Sequence, residues 1–172
     1  MKFVFTFCFC FFITLSHGMS DIKLLRKLLH ESSNNQKTAQ LFYEQTKNFK
    51  QSCEPILVGF KAMSEFMLCN HTSSLFSKYN HFNEGKKLLE TAIKQDLKNT
   101  ELIYFRFITQ TNVPSLLGYS SKINGDKIFL LKYLKDAFSN ANKDVDLYNQ
   151  IKNYLLQCNA CNQTEKESIK NL

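Results

Sequence analysis

Apolar residues recur at three- and four-residue spacing through most of the chain, the mark of helices buried along one face. In residues 21–31, DIKLLRKLLHE, Ile22, Leu25, Leu28 and Leu29 share a face, and Asp21 stands where a helix start favours an acid. SSNN at 32–35 breaks the pattern, and residues 36–49 resume it with Ala39, Phe42, Tyr43 and Thr46 on one stripe. Pro55 suits the first turn of a third helix reaching about Asn70. That segment is apolar over more than half its circumference, which predicts a central position. A fourth helix is expected over residues 79–95, with Phe82, Leu88, Leu89, Ala92 and Ile93 at helical spacing. Asn99 or Thr100 caps a fifth, and Pro114 stops it near Asn112 because the residue before a proline avoids the α region. Asn124-Gly125-Asp126 reads as a turn leading into a sixth helix, and Asp144 starts a seventh. No strand-like alternation runs to a useful length. The pattern therefore predicts an all-α fold of about seven helices in antiparallel pairs joined by short loops.

The first 18 residues follow a different rule. Lys2 precedes a mostly apolar run from Phe3 to Leu15, and the small residues Ser16 and Gly18 precede Met19. This is the pattern of a secretory signal peptide, and the run is shorter than the roughly 20 residues a membrane-spanning helix needs. The organisation expected is a signal peptide over 1–18, a helical domain over 19–157 and a polar C-terminal tail over 158–172 that frays. Cleavage before Met19 would leave an exported chain, periplasmic or secreted, without stable membrane insertion.

Composition narrows the partners. The 172 residues carry 22 Lys and Arg against 15 Asp and Glu, a formal charge of +7 that falls to +6 when Lys2 is lost. The lysines are interleaved with acids along the whole chain, and only Arg26 and Arg106 supply the guanidinium that reads bases and grips phosphates. A solvated basic surface is expected, not a nucleic-acid partner. The counts of 5 Gly and 2 Pro agree with helices over a turn-rich β fold.

Two resemblances appear in the middle of the chain. GKKLLETAIKQDLKN resembles the second helix of a tetratricopeptide repeat, with Gly85, Leu89 and Ala92 in its small, large and small positions and Leu97 where the repeat usually has proline. It implies a tetratricopeptide-like helical array. The segment Arg106-Phe107-x-x-Gln110-x-Asn112-x-Pro114-x-x-Leu117-Gly118-Tyr119, followed by Asp126 and Lys127, looks like one shared by a family of exported all-helical proteins of flavobacteria and their relatives. The likeness covers roughly residues 20–138. It implies the same fold and export, and brings no catalytic residues and no cofactor.

Candidate chemistry is sparse. No nucleophile elbow, P-loop, dinucleotide fingerprint or H-E-x-x-H occurs among the residues, and His30, His71 and His81 stand apart in sequence. Cys158-Asn-Ala-Cys161 is a C-x-x-C whose thiols can meet as a structural disulfide, stay free or exchange. Its place at a helix C-terminus disfavours redox chemistry, which prefers a helix N-terminus. Cys53 and Cys69 flank one helix and lie too far apart to bond each other. Cys69, His71, Cys158 and Cys161 have zinc-ligand atom types, but their spacing matches no standard zinc module. No metal site is assigned. The loop 113–125 is the longest non-periodic stretch. Its neighbours Arg106, Gln110, Asn112 and Tyr119 are the candidate ligand-binding residues; the plainer alternative is that Pro114 and Gly118 turn the chain while Leu116 and Leu117 plug the core. The functional expectation is an exported helical protein that binds a protein or peptide. The alternative is an enzyme or small-ligand-binding protein using residues 106–126.

Overall fold

The computed structural model describes residues 18–172, with side chains from Ile22 onward; the expected leader over 1–17 lies outside the described residues. Among the described residues eight α helices follow one another: α1 Gly18–Ser32, α2 Gln36–Thr46, α3 Pro55–His71, α4 Leu75–Gln95, α5 Thr100–Asn112, α6 Ile123–Phe138, α7 Val145–Gln157 and α8 Gln163–Lys170. A single 3-10 turn, Ser115–Leu117, lies between α5 and α6. Each helix packs on its sequence neighbour, as in a generic helical-repeat array, and α3 and α4 form the most extensive pair.

The breaks between helices are set by polar residues that satisfy the free N–H groups of the next helix. The side chains of Asn35, Asn99 and Asp144 accept from the backbone N–H of Thr38, Leu102 and Leu147 at 3.0, 3.2 and 3.1 Å. Pro55 occupies the first turn of α3, where its missing N–H costs nothing. Val113, ahead of Pro114, is extended at ψ 147° and ends α5.

The core is a chain of aromatic and aliphatic side chains running through the array. Phe42 of α2 meets Phe60 of α3 edge-on at 6.5 Å, and Phe60 meets Phe105 of α5 at 5.1 Å. Phe105 and Phe107 lie on different faces of α5 and both are buried, so α5 is covered on two sides. Gly85, Leu89 and Ala92 face the core, and a Cβ on Gly85 would come within 2.9 Å of the Phe66 ring. The repeat-like positions thus serve close approach of α4 to α3.

Four expectations are corrected. The segment 158–172 is not a frayed tail: α8 is closed at its start by a reciprocal capping box between Asn162 and Glu165, and Ile169 is fully buried. α4 begins at Leu75, with Ser74 as its N-cap, instead of near Tyr79. Asn124 and Gly125 lie inside α6, which starts at Ile123 and so places Asp126 in its first turn. Leu116 and Leu117 do not plug the core; they are 84% and 37% exposed. Gly118, at φ 61°, reverses the chain after them and sends Tyr119 inward in their place.

Candidate functional site

Arg106 projects from α5 into a partly buried polar cluster. Its Nε and Nη2 donate to the two oxygens of Asp126 at 2.8 and 2.7 Å, a bidentate pair, and its Nη1 donates to Glu90 at 3.2 Å. The other Glu90 oxygen accepts from the Tyr119 hydroxyl at 2.7 Å. The Tyr119 ring stands edge-on to Phe82, with the Lys86 ammonium 5.1 Å from its centroid. Gln110 Oε1 accepts from the Lys122 backbone N–H at 3.2 Å, while its buried Nε2 has no partner. Hydrogen bonds from Arg106 to Asp126 hold the guanidinium charged, and they outweigh its burial. Burial, reinforced by Glu90, pushes the Tyr119 phenol far above its ordinary range.

Three of the four candidate residues, Arg106, Gln110 and Tyr119, are therefore brought together. Asn112 is not. It points to the far side of α5, where its Nδ2 donates to Ile108 O and to the Tyr154 hydroxyl, both at 2.7 Å. Two members of the cluster were not among the candidate ligand-binding residues. Asp126 stood as a helix start and as part of the segment shared with the exported family, and Glu90 gave no signal, because its partner lies 16 residues away on another helix. The arrangement joins α4, α5, α6 and the 113–122 loop. The guanidinium fork faces two carboxylates and the phenol stays protonated, so the cluster acts as a clamp holding the loop.

The surface next to Asn112 is more open. A groove of about 490 Å³ runs between the C-terminal ends of α5 and α7 and the start of α6, lined in part by Gln110, Asn112, Ser120, Gln157 and Asn159. A second hollow of about 450 Å³ adjoins it and is lined by Met63, Phe66, Met67, Phe82 and Ile108. The two share Asn112, Val113 and Tyr154. No charged side chain lines either one, although 22% of the chain is charged. The carbonyl-bearing ends of two helices give the first groove a partial negative character.

Cys158 and Cys161 sit at the joint of α7 and α8. All four described cysteines are free thiols, so the Cys158–Cys161 bond is not formed in this structure. Cys158 ends α7 by donating its N–H to Tyr154 O, and Cys161 immediately precedes the α8 cap Asn162. The pair thus also neighbours a helix N-terminus, yet burial and then the adjacent Cys158 push the Cys161 thiol up to about 12. Among the described residues, no group of three or more His, Cys, Asp or Glu side chains could hold a metal ion.

A second arginine clamp ties the two ends of the chain. Arg26 of α1 grips Glu101 at 2.7 and 2.8 Å through Nε and Nη2, and reaches Asp144 at 2.8 Å and Asp146 at 3.3 Å. Burial pushes Glu101 upward even beside Arg26. Burial would also raise Asp144, but Arg26 and the Leu147 N–H outweigh it and hold that carboxyl low.

Comparison of the chain with protein-family models, curated proteins and solved structures finds no match. No described helix is long and apolar enough to cross a membrane.

Proposed function

We propose that the protein is an exported, tetratricopeptide-like helical domain that binds a protein or peptide segment in the paired groove beside Asn112 and Tyr154. The observation that carries this reading is that two hollows, neither lined by a charged side chain, adjoin at Asn112, Val113 and Tyr154. The first hollow is lined mostly by amide and hydroxyl side chains, and the second is more apolar. An extended segment needs both, hydrogen-bond partners for its backbone and space for its side chains. The close packing at Gly85, Leu89 and Ala92 supports the tetratricopeptide likeness, and the residues 1–18 support export to the periplasm or beyond. Kinship with the flavobacterial family belongs to the same reading and rests on the segment from Arg106 to Lys127.

Selection from a random-peptide library against the full chain tests it. Peptides retained by the wild type should lose binding to a Gln157→Arg, Asn159→Arg double variant, whose changes sit on exposed positions of the polar groove. Peptides that bind the double variant equally well would place recognition elsewhere.

A further inference from the structure

We propose that the protein seats one end of its helical array on an anionic lipid bilayer, with the exposed apolar side chains of the α4 start and of the 115–117 turn entering the headgroup layer. Short loops make successive helices antiparallel. The loops 33–35, 72–74, 113–122 and 158–162 therefore fall at one end of the array, and 47–54, 96–99 and 139–144 at the other. Side-chain contacts agree. His71 Nε2 lies 2.6 Å from the Ser32 backbone oxygen, which joins the end of α3 to the end of α1. Ser33, Asn70 and Asn112 line one hollow at this end, and Asn112, Ser115 and Asn159 line another. The inference does not rest on a peptide occupying those hollows.

Acids are partitioned between the two ends. All four loops of the first end lie inside stretches without Asp or Glu: residues 32–43, 66–83, 102–125 and 147–164. Each loop of the opposite end carries an acid, Glu54, Asp96 or Asp144. Of the acids nearest the first end, Asp126 is held by Arg106, Glu165 by Lys127 at 2.9 Å, and Glu31 lies 3.9 Å from Lys27. Lys37 and Lys122 are exposed there, and Lys78 is half-buried. Antiparallel helices bring dipoles of both signs to one end, so the side chains set its sign. That sign is positive, and it complements the phosphates of an anionic leaflet. The same end carries apolar tips. Leu116, Leu75 and Phe76 are the most exposed large apolar side chains among the described residues, at 84%, 83% and 75%. Tyr79 is exposed one turn after Leu75 on the same face of α4. Tyr119, edge-on to Phe82, fastens the 115–117 turn beside α4. The tips stand on two separate projections. A protein partner would need a matching pocket for each, whereas a bilayer takes up each one singly, and a tyrosine suits its wet boundary. No described helix is long and apolar enough to cross a membrane, so the contact is with its surface.

The chain has no tryptophan, so a single introduced one reports on its own site. Full-length Phe76→Trp and Leu116→Trp chains are mixed with vesicles of equal parts phosphatidylcholine and phosphatidylglycerol. Emission from both should shift to the blue and become shielded from iodide. Leu97→Trp, exposed at the opposite end, should not change. Lys37→Glu, Lys78→Glu and Lys122→Glu together should weaken binding at least about tenfold, and vesicles of phosphatidylcholine alone should bind correspondingly less. An unchanged Phe76→Trp spectrum, an equal shift of Leu97→Trp, or equal binding by the triple variant or to the uncharged vesicles would each overturn the proposal. A blue shift of Phe76→Trp on concentrating the protein without lipid would also overturn it, and would assign this end to a second copy of the chain.

Discussion

A single backbone angle decides how the 113–122 loop is built. Gly118 sits at φ 61° with nothing within 4 Å of a would-be Cβ, so a side chain there meets backbone strain and no clash. Gly118→Val should cost about 1–3 kcal/mol. Tyr119 is 5% exposed, packed on Phe82 and bonded to Glu90, so Tyr119→Ala should cost more, about 3–5 kcal/mol, as buried aromatic truncations do. Thermal melts of the two variants check the order; equal melting of Gly118→Val and wild type would show that the loop tolerates another backbone path. The cysteines give a second residue-scale expectation. The Cys161 thiol, held up to about 12, is scarcely ionised at neutral pH. Iodoacetamide should label Cys158 before Cys161, with Cys161 reacting fully only on unfolding; mass spectrometry of partly alkylated chain reads this directly. Replacing both by Ser should leave unfolding cooperative.

Helices α1 to α7 were legible because each carries several apolar residues at helical spacing. α8 was not, since QTEKESIK offers Ile169 as its single large apolar residue and a capping box that a polar tail conceals. The early start of α4 was hidden for the opposite reason: Leu75 and Phe76 are apolar but 83% and 75% exposed, so they fall outside the buried stripe. The leucines at 116 and 117 were inverted because hydropathy does not register a left-handed turn one residue later. Of the polar cluster, Arg106 and Tyr119 were visible as unusual residue types, whereas Glu90 looked like any exposed acid on α4. The docking of α8 is testable by pH. The Lys127 ammonium, then the Asn162 N–H, hold the Glu165 carboxyl below its ordinary value. A depressed carboxyl contributes stability fully above its unfolded value and loses it as pH falls through the folded one. Amide-exchange protection around Ile169 should therefore hold near neutrality and fade in acid before that of α3 and α4. Lys127→Met should weaken it already at neutral pH, and protection indifferent to both changes would separate α8 from this ion pair.

At the scale of the whole molecule, both arginines join helices that are distant in sequence. Arg106 draws α4 and α6 to α5, and Arg26 draws α5 and α7 to α1. Arg26→Ala leaves Glu101 buried without a counter-charge and should cost about 3–5 kcal/mol. Arg26→Met combined with Glu101→Leu removes both charges and should be more stable than Arg26→Ala alone. Denaturant unfolding of the two variants measures the difference, and a double variant weaker than the single one would show that the pair itself holds the ends together. The Arg26 clamp also sets an order in time. Its carboxylates at Asp144 and Asp146 lie 118 and 120 residues further along the chain. As the polypeptide is made, Arg26 gains Glu101 once α5 has been added, and its remaining carboxylates only when the start of α7 follows. The clamp on α1 is therefore closed in two stages, the second only after most of the described chain has been made.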